Sequence, residues 1–313
     1  MATPPSAYYD TPLDRSTHSI RLLRLENRDA NDITCTLSTF QISKCPSFIA
    51  LSYTWGSPHP THKVILNGQP FLIRENLWSV LRTLCEFLRT GKLTQSRHGK
   101  LYVLEYFWID AVCINQEDIL ERGHQVNMMK EIFSAANFVI AWLGSQTEES
   151  AQILDEIRQI ANRSHIETRQ HMTQIEARNG ARKLFFDRLY WKRMWIVQEF
   201  LLAPDIYLLC GPQGVWWNEF KDYLHSLEQA WTLGSLRVSP AAAALYYQRT
   251  ERKHSSRVFS AATLDLMIEK FHSGRCVDVR DRVFALLGLV NVSDASSAVL
   301  LADYTITLIQ LYY

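Results

Sequence analysis

The chain has 313 residues and carries 33 Lys+Arg against 32 Asp+Glu, a formal charge of +1. No basic excess points to nucleic acid and no acidic tract points to a solvating arm. With 47% hydrophobic and 12% aromatic residues it is a globular protein, long enough for one large domain or two modest ones.

In chain order, residues 1–18 read as a loose tail. "SIRLLRL" (19–25) and "ITCTLSTFQI" (33–42) read as strands, the second rich in β-branched residues. "FIALSYTW" (48–55) starts apolar on both faces, which predicts a central strand, and "GSPHP" stops it. "KVILNGQPFLI" (63–73) predicts a hairpin turning at Asn67-Gly68. Residues 75–89 place Leu77, Val80, Leu81, Leu84 and Leu88 at helical spacing. A polar loop follows, then a strand over about 102–112. Helices are predicted over 121–136, 148–163 and 190–203, the last ended by Pro204, with strands at 137–144 and 205–211. From about 217 the pattern turns helical, with segments near 217–231, 239–253, 258–272 and 280–289. The chain breaks off inside a periodic run, "DYTITLIQLYY", as a fragment of a longer protein would.

This alternation predicts an α/β fold: a mainly parallel sheet flanked by helices, with extra N-terminal strands and a helical C-terminal part. The expected divisions are a tail over 1–18, a core over 19–215 and a helical extension over 216–313. The start "MATPPSAYYD" lacks a signal-peptide pattern, and no apolar run approaches the ~18 residues of a spanning helix. Six cysteines, at 35, 45, 85, 113, 210 and 276, form no CxxC and read as free thiols of a reducing compartment. The expectation is therefore a cytoplasmic protein.

Ligands of parallel sheets bind outside the carboxyl ends of the strands. "FWIDAVCINQ" (107–116) delivers Asp110, Asn115 and Gln116 at such an end. These groups can hold ribose hydroxyls or a carboxamide; equally, they can cap the next helix and tie down its loop. "SYTWGS" (52–57) offers Tyr53 and Trp55 for stacking and Gly56 for close backbone approach, or else core aromatics and a turn. Arg122 reads as a phosphate holder or as an ion-pair partner. Cys113 has no neighbouring base that would make it a nucleophile, and the His59/His62 pair lacks a third metal ligand. The chain has no GxxxxGK[ST], GxSxG or GxGxxG.

"ALSYTWG" (50–56), "FWIDAVCINQ" (107–116), "ERGHQVNMMKEIFSAANFVIAWLG" (121–144) and "WKRMWIVQE" (191–199) resemble the fungal heterokaryon-incompatibility (HET) domain. "DVRDRVFALLGL" (278–289) and "ADYTITLIQLYY" (302–313) resemble segments that follow it. The resemblance implies a cytoplasmic cell-death effector with its HET domain within 19–215. The order of elements also resembles, more distantly, a Toll/interleukin-receptor (TIR) domain, a flavodoxin-like arrangement. The departures are a Trp195-to-Glu199 spacing one residue longer, the 63–73 hairpin and the long 145–190 segment.

That second resemblance implies cleavage of NAD+ as substrate, with Glu199 as the catalytic carboxylate and Trp195 beside it. If 190–203 is one helix, Glu199, Trp195 and Trp191 share a face, and two indoles desolvate the carboxylate. The competing reading is a structural ion pair of Glu199 with Arg193 or Arg122. No resident cofactor or metal is expected. Expected partners are further copies of the chain and an upstream incompatibility sensor, with neither nucleic acid nor membrane. A non-enzymatic, self-associating scaffold and a nucleotide-binding sensor are the rival functions.

Overall fold

The structure is a computed structural model that describes residues 6–26, 32–91, 94–97, 100–103, 105–162, 178–232, 239–254, 263–290 and 301–312. The polar stretch as far as 177 and the first residues of the helix expected over 258–272 lie outside them. The strands are β1 (Ser19–Leu25), β2 (Thr34–Gln41), β3 (Phe48–Tyr53), β4 (His62–Leu66), β5 (Gln69–Ile73), β6 (Thr94–Arg97), β7 (Lys100–Val103), β8 (Tyr106–Trp108), β9 (Phe138–Trp142), β10 (Ile206–Cys210) and β11 (Gln213–Trp216).

Nine of them form one sheet in the order β11-β10-β9-β3-β8-β1-β2-β4-β5. Of its eight pairings four are parallel and four antiparallel, so the sheet is mixed, not mainly parallel as expected. The reason lies in the connections. Short links join β1 to β2, β4 to β5 and β10 to β11, and a short link closes only an antiparallel pair. Between them β8, β3, β9 and β10 are mutually parallel, and in chain order they stand second, first, third and fourth. Every residue of β3 and β9 is buried, as strands covered on both faces must be, whereas β2 alternates in and out. At the β4–β5 turn Asn67 (φ 49°) and Gly68 (φ 76°) both take the left-handed conformation that a two-residue hairpin requires.

Helix Glu75–Thr90 buries Leu77, Val80, Leu81, Leu84 and Leu88 as its spacing predicts. The polar loop expected after it instead holds the β6–β7 hairpin. The strand expected over 102–112 is shorter: β8 stops at Trp108, and Asp110–Cys113 forms one helical turn. A short apolar run reads alike for a strand and a buried helix, which is why the boundary was hidden. The 121–136 segment is two helices, Ile119–Asn127 and Met129–Ala135.

The predicted 190–203 helix is also broken. Leu189–Lys192 is a 3-10 turn, Arg193 is extended (φ −77°, ψ 139°), and the α-helix runs only over Ile196–Leu202. An unbroken helix would bond the Met194 amide to the carbonyl of Tyr190; here it goes to Arg275 O at 2.9 Å, and Arg275 N donates to Lys192 O at 2.6 Å. A distant segment thus captures the backbone groups that would have continued the helix.

One hydrophobic cluster runs from the sheet through helix Trp217–Thr232 into the later helices, and includes Phe220, Leu224, Leu245, Phe271 and Leu286. Residues expected in a loose tail join it: Ala7 and Tyr8 are buried, and Tyr8 OH donates to Val112 O (3.1 Å) and Ile114 O (3.3 Å). Among the described residues no helix is long and apolar enough to cross a membrane.

Candidate functional site

The carboxyl ends of β3 and β8 meet helix Ile196–Leu202 and collect charge there. Ser52 alternates with Tyr53 in β3 and so points to the opposite face. Its hydroxyl donates to Glu199 Oε2 and lies 2.9 Å from Tyr190 OH. Arg193 Nη1 stands 3.7 Å from Glu199 Oε2 and donates to the carbonyl of Tyr53, the last residue of β3. Glu199 is only 4% exposed. Burial pushes its carboxyl up to about 7; Arg193 and the Ser52 hydroxyl pull the other way, and Asp110 adds to the rise.

Asp110 is half-buried and opens the turn after β8. It accepts from Trp55 Nε1 at 2.8 Å and from the Ala111 amide at 2.7 Å. Burial raises its carboxyl pKa as well, against Arg193. Trp55 carries Arg74 at 5.0 Å over its ring, a cation–π contact. Gly56 turns the chain away at φ +74°, with Asn76 at its side. Asn76 ties this end to β9: its Nδ2 donates to Thr54 O at 2.5 Å, and its Oδ1 accepts from Trp142 Nε1 at 2.9 Å. Gln116 Nε2 closes the far side on Asp110 O at 2.9 Å.

The rim thus gathers Tyr53, Trp55, Gly56, Asp110, Gln116 and Glu199. It does not include Asn115 or Arg122. Asn115 lines a separate cleft of about 220 Å³ with Tyr8, Tyr9, Arg15 and Glu121. Its backbone amide donates to Glu121 Oε1 at 2.6 Å, and Glu121 is in turn engaged by both terminal nitrogens of the buried Arg21, at 2.6 and 3.0 Å. Arg122 lies 4.3 Å over the ring of Tyr304. The helix cap expected from Asp110 or Asn115 is Asp118, which accepts from the amides of Leu120 and Glu121.

The break at Arg193 also corrects the expected indole pair. Trp191 lies in an aromatic cluster, stacked on Phe220 at 5.8 Å, and Trp195 packs against Val283, Phe284 and Ala302. Ser52 and Arg193 engage Glu199 in place of the indoles, and the Arg193 contact is the ion pair of the competing sequence reading. Ser52 went unmarked there, although period-2 alternation beside Tyr53 carries it to the helix-facing side. Burial lifts the Cys113 thiol to about 12, which leaves it protonated near neutrality. Among the described residues no group of three or more His, Cys, Asp or Glu could hold a metal ion.

Fold and rim define an α/β protein with a charged, aromatic edge where parallel strands end. Residues 48–199 match the family model described as Heterokaryon incompatibility protein (HET). Residues 48–199 carry a HET domain, and the rim residues all fall inside that match. It is similar to Heterokaryon incompatibility protein 6, OR allele, of Neurospora crassa: 28% identical over 347 aligned positions, covering 93% of this chain and 50% of the relative. The chain therefore spans about half the length of that curated relative. No solved structure matches it.

Proposed function

We propose that this chain is a heterokaryon-incompatibility effector whose activity kills the cell, and that its reaction is cleavage of the nicotinamide–ribose bond of NAD+. The HET domain supports the first part. Two observations support the second. The parallel strands β8-β3-β9-β10 stand second, first, third and fourth in chain order, which supports reading this part of the mixed sheet as flavodoxin-like, and ligands of such sheets bind outside the carboxyl ends of the strands where the order reverses. Glu199 stands beneath that edge, bonded by Ser52 near the end of β3, and this placement of a buried carboxylate is the single observation that carries the chemistry.

Bond cleavage passes through an oxocarbenium-like state, which a fixed carboxylate stabilises; nicotinamide leaves as the neutral base, and water adds to the anomeric carbon, giving ADP-ribose and a proton. In this reading Glu199 faces the developing cation, Asp110 and Gln116 hold ribose hydroxyls, and Trp55 stacks on a ring of the substrate. Asn115, Arg122 and Trp195 stand outside the rim in the closed arrangement and would join only after movement. The reaction requires Arg193 to leave the carboxylate, because Glu199 is covered in the arrangement described above.

That covering favours a second reading. A carboxylate 4% exposed and engaged by Ser52 and Arg193 suits a structural linchpin of a scaffold that signals by self-association. The two readings separate on one experiment: purified protein, dilute and concentrated, is incubated with NAD+ and nicotinamide is measured. Release by wild type and at least about a hundredfold less by Glu199→Gln is expected. Equal release by both removes Glu199 from the mechanism. Oligomers without release favour the scaffold.

A further inference from the structure

The helix that bears Glu199 is fastened from outside the matched family segment. Its entry is pinned by the two backbone hydrogen bonds between Lys192–Met194 and Arg275. This pairing lets the chains approach so closely that a Cβ on Gly274 would fall 2.6 Å from Met194 Sδ and 3.2 Å from Met194 Cα. Trp195, at the helix N-cap, packs against the cluster of Val283, Phe284 and Ala302, and the neighbouring Asp281 accepts from Tyr304 OH at 2.8 Å. In the middle, buried Gln198 packs against Gly288 so tightly that a Cβ there would overlap its amide. At the exit, Arg249 Nη1 donates to Phe200 O at 2.6 Å and Nη2 reaches Pro204 O at 3.4 Å. The partners at 249, 274, 275, 283 and 288 all lie beyond residue 199, where the family match ends.

These ties have one consequence for the rim. The extended conformation at residue 193, which the Arg275 pairing imposes, is what turns Arg193 onto Tyr53 O and Glu199. We propose that the C-terminal helical region is a clamp that holds the Glu199 helix in its covered position, so that release of the clamp uncovers the carboxylate. The proposal concerns regulation of the site and rests on the reading of Glu199 as its reactive carboxylate. The mechanical part stands apart from the chemistry, because the clamp acts on the backbone of 192–202 whatever that helix does.

The test uses the full chain with Arg249→Met, which removes the guanidinium from Phe200 O and Pro204 O, and with Asp281→Asn as a milder variant that keeps the shape of the side chain. Amide hydrogen exchange is followed over 194–202, with β9 as internal reference, together with nicotinamide release from NAD+. Loss of a hydrogen bond to a charged group predicts about tenfold or faster exchange over 194–202, with β9 unchanged. Nicotinamide release is expected to rise about tenfold in parallel, since the same loss of restraint opens the carboxylate. Unchanged exchange in both folded variants overturns the clamp. Faster exchange with release falling below wild type also overturns it, since the region would then build the site and not cover it. Faster exchange with no release from any form leaves the clamp standing and removes the NAD+ reading.

Discussion

Glu199 is held protonated more readily in the folded chain than in the unfolded one. Its carboxyl moves from an ordinary 4.5 to about 7 because burial costs the anion more than Arg193 and Ser52 return. The folded state therefore binds more protons than the unfolded state between those values. The stability this contributes is complete below about 4.5 and is lost as pH rises through about 7. Burial shifts Asp110 and Asp281 in the same direction. Urea unfolding should show wild type less stable at pH 8 than at pH 5, by up to about 3 kcal/mol from Glu199. Glu199→Gln, which cannot ionise, should flatten that slope; a slope unchanged by the substitution would assign the titration to other groups. Gly56 is a second residue whose role is local. At φ +74° a Cβ is strained even though its nearest neighbour, Asn76 Cβ, is a tolerable 3.5 Å away. Gly56→Ala should cost about 1 kcal/mol, readable as a lowered urea midpoint.

Among elements, β1 and helix Ile119–Asn127 are tied by a buried ion pair. Arg21 is 1% exposed, and its guanidinium is shared among Glu121, Thr11 O and Cys113 O. A buried ion pair contributes little net stability while intact, because desolvation offsets attraction, but removing one member leaves a charge stranded. Glu121→Ala should therefore cost about 3–5 kcal/mol in denaturant unfolding. Loss of under about 1 kcal/mol would mean that water reaches Arg21. The sequence placed Glu121 merely in the first turn of a helix, where acids are common. Its partner stands a hundred residues earlier, on a strand whose apolar neighbours gave no hint of an inward-facing arginine. Helix Ile196–Leu202 teaches the same lesson. Its periodicity from Trp191 to Leu202 is real, yet the pairing with Arg275 outcompetes one turn of helix for the Met194 amide.

For the whole molecule, the core does not stop at the end of the sheet. Trp217 packs edge-on against Phe200 at 5.4 Å and Phe220 stacks on Trp191 at 5.8 Å, so helix Trp217–Thr232 completes the cluster behind the Glu199 helix. A chain ending at residue 215 loses these rings and every clamp contact together. It is expected to lack the cooperative unfolding transition of the full chain, monitored by tryptophan fluorescence. A sharp transition in that fragment would show that the sheet stabilises the Glu199 helix unaided.

Much of this architecture was legible in the sequence. β1, β2, β3, the β4–β5 hairpin and helix Glu75–Thr90 follow from period, β-branching and one Asn-Gly turn, and the four ordered blocks identify the family. Those signals are local: each states which face of a segment must leave water. The tertiary structure alone decided that the sheet is mixed, that the chain breaks at Arg193, that Asn115 faces a different cleft, and that Glu199 lies covered by a guanidinium. Each of these depends on which of several distant groups claims an amide, a carboxylate or an edge. That competition is settled by packing between segments far apart in the chain, and local periodicity carries no record of it.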